Sequence, residues 1–322
     1  VLLASSPGQP RREIGAGALA DNVVWFDLFA PSDQERHEVE VETGLRVPRA
    51  EEIDEIESSS RLRQEGEGIY LSMPLSVPAA DGTRSSAAVG FVLSRTHLLT
   101  LRYANIPVFD RFAETQATTG EGHGSAGVLV GLMEALVDRL ADLLEKVNSD
   151  LEHVSKRVFH TEGMPGRKRD ESSMLRATLT RIGLAGDLVS NLRASLLGIG
   201  RIVPYLTEAA AAWLPDELKP RLVALKADLL SLTDFDAQMM SKVQFLLDAT
   251  LGFLNIEQND GLKVLTVVSV VGIPPTLIAS MYGMNFQHMP ELHWAWGYEY
   301  GLSLIALSIV LPLVWFRVKG WV

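Results

Sequence analysis

The chain has 322 residues, and its 40 Asp and Glu outnumber 29 Lys and Arg to give a net charge of −11. That length leaves room for about two domains, and the acidic balance argues against nucleic acid as a partner while favouring cations. The absence of cysteine excludes disulfides and thiolate metal sites, and a hydrophobic share of 47% beside 21% charged residues points to a polar domain joined to a very apolar one.

The opening VLLASSPGQPRR has no basic region ahead of a long apolar core, so as it stands it does not read as a secretory signal. The first hundred residues read as α/β. Val23 to Phe29, Gly68 to Val77, and Ala87 to Tyr103 (in two pieces) predict strands. Between them Ser32 stands three residues before Glu35, the spacing of a capping box, and a second short helix is expected after Pro48. The Gly-rich stretch Thr118 to Gly127 lacks the Lys-Ser/Thr ending of a phosphate-binding loop and reads as a linker.

From Val128 the pattern turns helical. One helix is expected over Val128 to Phe159 and another over Glu171 to Leu197, separated by a turn at Glu162 to Asp170. His153 and His160 lie on one prospective helix face without a third ligand, and read as surface histidines. Beyond Pro215, apolar residues recur with alternating spacings of four and three from Leu218 to Phe253, interrupted at Asp236 and Thr250. With no proline between Pro220 and Pro274, this stalk can run unbroken into the next apolar segment, from about Asp216 to Met281. Such a helix would be about 100 Å long. The alternative is a break near Asn259-Asp260-Gly261.

Val264 to Tyr282 and Tyr300 to Phe316 contain no charged residue, and each approaches the length that crosses a bilayer. Spans are expected over about 262–282 and 299–317, with an external loop at 283–298. Tyr282, Trp294, Trp296, Tyr298 and Tyr300 mark one interface, and Trp315 and Trp321 the other. Lys263, Arg317 and Lys319 flank the spans, whereas the loop carries Glu291 and Glu299 but no Lys or Arg. The positive-inside rule then puts both termini in the cytoplasm, with a cytoplasmic-membrane, multi-pass location. A buried hairpin in a large soluble core is the alternative. Within the first span, Thr266, Ser269, Ile273, Thr276, Ser280 and Gly283 form one stripe, continued by Asn259 and Leu262. The stripe fits either close helix packing through small residues or the wall of a water-filled pore. A two-span chain is too small to enclose a pore, so the pore reading requires a ring of copies.

Tyr282-Gly283-Met284-Asn285-Phe286, then Met289-Pro290-Glu291-Leu292 and a second span ending in Lys-Gly-Trp-Val, resembles the CorA family of divalent-cation channels. The likeness extends upstream through NDGLKVLT (Asn259 to Thr266) and into the N-terminal segments FDLFAPSDQE, EIESSSRLR and FVLSRTHLLTLRY, so it covers nearly the whole chain. The resemblance implies an α+β membrane protein that assembles as a homopentameric funnel. It would combine an N-terminal cytoplasmic α/β domain (1–127), a helical layer with a very long stalk helix (128–261) and a transmembrane hairpin (262–322). It also implies that Gly283, Met284 and Asn285 are the selectivity filter. Asn259 and Thr276 match polar pore-lining positions, and Leu262, Leu265 and Ile273 match the hydrophobic constriction, with Ser269 and Ser280 on the same pore-lining stripe. The cargo implied is magnesium, with cobalt and nickel beside it, and neither an enzyme activity nor an organic cofactor. A zinc transporter of the same superfamily is the nearest alternative, against which Met284 argues, since isoleucine is usual there. A membrane-anchored cytosolic sensor is the remaining one. The chain departs from many members at Gln287-His288. His288 and His293 are competent zinc or nickel ligands, but as lone loop residues they read as solvent-facing.

Magnesium sheds water reluctantly, so a filter can bind the hydrated ion through acceptors that leave its waters in place. The Asn285 side-chain carbonyl is such an acceptor, uncharged and therefore weak enough for release when repeated in a ring. Gly283 would let the helix end and the backbone come close to the axis. An ordinary C-cap with a left-handed Asn is compatible with the same residues. Glu291 and Glu299 would gather cations at the loop. The stalk carboxylates Asp228, Asp234, Asp236 and Asp248 would repel one another between packed subunits unless a divalent ion bridges them. Magnesium is thus also expected as a regulatory ion, with Asp228 as the individual candidate.

Overall fold

The computed structural model describes residues 1–5, 12–13, 23–55, 61–79, 84–119, 124–159, 171–285 and 289–321. Its strands are β1 Leu2–Ser5, β2 Arg12–Glu13, β3 Trp25–Phe29, β4 Leu62–Glu65, β5 Gly68–Pro78, β6 Arg84–Leu93 and β7 Leu98–Arg102. They form a seven-stranded sheet in the order β2-β1-β3-β7-β6-β5-β4. Strands β3 and β7 pair in parallel, with Asp27 opposite Thr100, and the other pairs are antiparallel.

The helices are α1 Asp33–Thr43, α2 Ala50–Ile53, α3 Pro107–Thr119, α4 Gly124–Phe159, α5 Glu171–Ala209, α6 Leu218–Tyr282 and α7 Gly297–Val318, with a 3-10 turn at Pro290–His293. The expected capping box opens α1. The Ser32 hydroxyl accepts from the Glu35 backbone N–H at 3.2 Å, and the Ser32 N–H donates back to the Glu35 carboxylate at 2.8 Å. Two orphan amides are satisfied at once. The expected second short helix is α2.

Side chains alternate across the sheet, as strand geometry requires. Ile69, Leu71, Met73 and Leu75 of β5 join one core with Phe91, Leu98, Leu132 and Leu136 of α4, Leu192 and Leu196 of α5, and Leu218 and Leu222 of α6. Tyr70, Val92, Leu99 and Leu101 turn to the opposite face and meet Val39 of α1 and Ile53 of α2. Both faces are therefore covered by helices. Between β3 and β7 lies a buried polar network. Arg102 Nη2 sits 3.0 Å from Asp27 Oδ2, the Thr100 hydroxyl donates to Asp27 Oδ1 at 2.8 Å, and the Trp25 indole N–H donates to Thr100 at 3.0 Å.

The chain divides into two compact units, Val1–Pro165 with Ala177–Leu247, and Gly166–Arg176 with Asp248–Val322. Helix α6 contributes to both and is helical throughout its 65 residues, so the alternative of a break at Asn259–Gly261 does not occur. It also continues through Pro274 and Pro275, whose missing N–H groups free the carbonyls four residues earlier. Helices α6 and α7 are long and apolar enough to cross a bilayer. In their most apolar 18-residue windows, 0% and 6% of the residues are buried. A hairpin inside a soluble core would be mostly buried, so that alternative fails. The expected turn at Glu162–Asp170 lies outside the described residues, as do His160, Phe286, Gln287 and His288.

Candidate functional site

The predicted pore-lining residues all sit on α6. At 100° per residue, Asn259, Leu262, Leu265, Thr266, Ser269, Ile273, Thr276 and Ser280 fall within an arc of roughly 120°, and the unbroken helix keeps them in register. Most of this face is exposed in the single chain, including Leu262, Leu265 and Ile273, and so are Val264 and Val268 on the far side of the helix. So much apolar surface requires a cover of lipid or of further protein. The two threonine hydroxyls in the stripe are locally satisfied. Thr266 donates to the Leu262 carbonyl and Thr276 to the Gly272 carbonyl, each at 2.8 Å. Each hydroxyl oxygen keeps lone pairs that can accept from the waters of a passing hydrated ion.

Helix α6 ends at the motif itself. The Gly283 N–H donates to the Ala279 carbonyl at 3.0 Å and the Met284 N–H to the Met281 carbonyl at 3.3 Å. Neither Gly283 nor Asn285 has a positive φ, so the left-handed cap expected from Gly-Met-Asn is not formed. A Cβ at 283 would come within 3.3 Å of the Ala279 carbonyl oxygen, a tight approach that a small shift relieves. Met284 and Asn285 follow directly, both exposed. The partial negative charge of the helix C-terminus and the Asn285 amide oxygen therefore lie at the same end of α6.

The loop returns through the 3-10 turn, where the Trp294 N–H donates to the Glu291 carbonyl at 3.3 Å. This return demands glycine at 297, since a Cβ there would stand 2.1 Å from the Glu291 carbonyl oxygen. Trp294 packs edge-on against Tyr300 with ring centroids 5.7 Å apart. At the other end of α7, Phe316 is buried against Trp315 and Trp321, 5.1 and 5.5 Å away. Aromatic contacts thus fasten both predicted interfacial belts. Glu299 is exposed in the first turn of α7, and Glu291 is half-buried in the 3-10 turn. His293 is exposed. Among the described residues, no three His, Asp or Glu side chains converge as a metal cage.

The stalk carboxylates separate into two kinds. Asp228, Asp234 and Asp248 are exposed on α6. Asp236, which was expected among them, is instead fully buried within the single chain, with Oδ2 2.9 Å from Arg193 Nε of α5. It belongs to the packing of α5 on α6. Asp228 has companions that the sequence reading missed. Burial first, and then the charges of Glu134, Asp142 and Asp228, push the Asp138 carboxyl above its ordinary range. Glu134, Asp138 and Asp142 are four residues apart on α4, a like-charge spacing that a helical reading could have noticed. One member is already neutralised, since Arg221 forks onto Glu134 at 2.9 and 2.5 Å.

Comparison with known proteins bears on the whole chain. Residues 20–319 match the family model described as CorA-like Mg2+ transporter protein. The magnesium transport protein CorA of Escherichia coli K12 is 34% identical over 301 residues, covering 93% of this chain and 92% of the relative. That of Yersinia pseudotuberculosis is 33% identical over 300 residues, covering 92% of each. Among solved structures, the complete CorA magnesium transporter of Methanocaldococcus jannaschii superposes with a TM-score of 0.76 at 19% identity, covering 100% of this chain and 99% of that one. At that identity the likeness speaks for the fold.

Proposed function

The chain belongs to the CorA-like Mg2+ transporter family, and from that premise we propose that it is a magnesium channel carrying hydrated divalent cations passively into the cytoplasm. Magnesium is the main cargo, with cobalt and nickel as further ions. Transport is the whole activity, and the family is one of transporters, not enzymes. The observation that carries this reading is the stripe of small, polar and constricting residues on an uninterrupted α6, ending at Gly283-Met284-Asn285. Five copies of α6 around an axis would turn that stripe inward and cover its exposed apolar residues, while α7 would meet lipid. Asn285 would then present a ring of neutral acceptors to a cation that keeps its waters.

The charges at the ends of the two helices support an orientation with both termini in the cytoplasm. Lys263 precedes the first span and Arg317 and Lys319 follow the second, while Glu291 and Glu299 lie at the opposite end. An inside-negative potential then contributes about 4.6 kcal/mol per divalent ion per 100 mV. The carboxylates Asp228 and Asp138 supply a place where cytoplasmic magnesium closes the channel, by relieving repulsion that builds when the ion is scarce. The test is magnesium uptake into proteoliposomes loaded with a fluorescent indicator. Uptake that rises with an inside-negative potential and is blocked by hexaamminecobalt(III) is expected. Absence of magnesium flux overturns the reading, and zinc flux exceeding magnesium flux transfers it to zinc transport.

A further inference from the structure

Strands β5 and β6 meet helices α3 and α4 around a cavity of about 90 Å³, remote in sequence from the transport motif. Its walls include apolar Leu75, Ile106 and Leu140, together with three guanidinium-bearing residues, Arg84, Arg111 and Arg139. Three arginines around one small hollow are unexpected in a chain with a net charge of −11. Arg84 donates from Nε to the Ser76 hydroxyl at 3.0 Å and from Nη2 to the Ser76 carbonyl at 2.5 Å, and both partners are neutral. Among the described residues, no carboxylate forms an ion pair with Arg84 or Arg111. Arg139 meets Asp142 at 3.7 Å, and both side chains are well exposed. Burial, and then the charge of Arg139, pull the Arg84 guanidinium below its usual pKa range. A partly desolvated cation facing a second cation is destabilising by itself, and such arrangements cluster at binding sites.

We propose that this cavity binds one phosphoryl group, supplied as inorganic phosphate or as the end of a larger phosphorylated solute. Arg84 and Arg139 hold its oxygens, and Arg111 stands exposed at the rim. Size and geometry select the ligand class. The hollow is small, and a compact tetrahedral oxyanion gives its arginines a charged partner that a neutral sugar or base does not. Guanidiniums approach from three elements, β6, α3 and α4. That suits an ion with several oxygens in different directions better than a planar carboxylate, which one fork satisfies. Arg84 has five N–H donors, of which the bonds to Ser76 occupy two, so it retains donors for the ligand while the strand holds it in place.

The test is titration calorimetry on the full-length protein in detergent, in chloride buffer with EDTA. Inorganic phosphate, sulfate and magnesium-free ATP are titrated separately. Saturable binding at one site per chain is expected, weakened about tenfold or more in Arg139→Gln and in Arg84→Gln. Asp142→Asn removes the carboxylate that competes for Arg139 and is expected to tighten binding. Arg139→Gln is the safer variant, because Arg84 also ties down the Ser76 end of β5. ATP binding tighter than phosphate identifies the larger solute as the source, and equal or weaker binding identifies free phosphate. No saturable binding by any of the three ions, or affinity unchanged in both arginine variants, overturns the proposal.

Discussion

Asp236 and Arg193 join the stalk helix α6 to α5 through a contact of 2.9 Å, with the carboxylate fully buried and the guanidinium 41% exposed. Neither carboxylate oxygen is hydrogen-bonded, so the pair is close but poorly aligned. Burial raises the Asp236 carboxyl above its ordinary 3.8, and Arg193 opposes the shift without cancelling it. The folded state thus holds a proton to higher pH than the unfolded chain. The stability it contributes is present in acid and is lost as pH rises through the raised value. Relative to Asp236→Asn, the native chain is therefore expected to lose thermal stability as pH rises above about 4. At pH 7 Asp236→Asn is expected to be neutral or stabilising by about 1 kcal/mol, because Arg193 can turn to solvent. A difference in stability between the two chains that does not change with pH contradicts the assignment.

That pair was illegible in the sequence for a simple reason. Arg193 lies on another helix, and only the interrupted apolar spacing at Asp236 hinted that a charge had been placed inward. Signals confined to a few residues were legible. The capping box at Ser32 and Glu35, the continuous α6 and both apolar helices are set by local spacing and composition. Strand β4 was not expected, since Leu62-Arg63-Gln64-Glu65 has no apolar alternation and becomes a strand by pairing with β5. Helix α5 runs past the expected end at Leu197 to Ala209 and through Pro204. Buried Ile199, Ile202, Val203 and Leu206 keep its apolar period and outweigh the lost hydrogen bond. The Gly-Met-Asn motif was readable as residue types, whereas the conformation at Gly283 was not, because its φ is not left-handed.

In the Asp27–Arg102 pair of the sheet both partners are inaccessible and hydrogen-bonded. Asp27→Ala leaves Arg102 charged in the core with only the longer contact to Asp110 at 3.4 Å, and a loss of about 3 kcal/mol is expected, read as a lowered melting temperature. Thr100→Val removes a single neutral hydroxyl that also serves the Trp25 indole, so it is expected to cost less, about 1–3 kcal/mol. Equal losses would mean that the charge pair is not the main contributor.

The carboxylates of α4 and α6 carry the expected response to magnesium. Asp138 is already pushed upward by Glu134, Asp142 and Asp228, so a divalent ion near them relieves repulsion and tightens α4 against α6. Hydrogen exchange in the segments around 134–145 and 221–235 is expected to slow between EDTA and millimolar magnesium. The difference is expected to shrink in Asp138→Asn/Asp228→Asn. Identical exchange with and without magnesium in the native chain rules out a regulatory ion at this place.

Assembly is what the channel reading of the exposed stripe requires. Leu262, Leu265 and Ile273 cannot face a pore and be sheltered unless copies surround an axis, so native mass spectrometry in mild detergent is expected to give a stable pentamer. A population of monomers and dimers alone would leave the stripe as lipid-facing or packing surface and remove the pore.

Asn285 is the sharpest point of the channel reading. It follows the last backbone hydrogen bonds of α6 and is exposed. Asn285→Ala removes the amide acceptor and leaves the helix intact, so magnesium flux in proteoliposomes is expected to collapse while oligomer and melting temperature change little. Asn285→Asp keeps the shape and adds charge. Several carboxylates around one axis either hold the divalent ion too tightly to release it or raise one another's pKa and become partly protonated. Flux is therefore expected to fall in this variant too, and its residual rate to depend on pH where the native rate does not. Block by hexaamminecobalt(III), which matches hydrated magnesium in size and octahedral shape but exchanges its ligands slowly, is expected to weaken in Asn285→Ala. Wild-type conduction by Asn285→Ala would show that the ion is not selected through its waters at this ring, whatever the rest of α6 does.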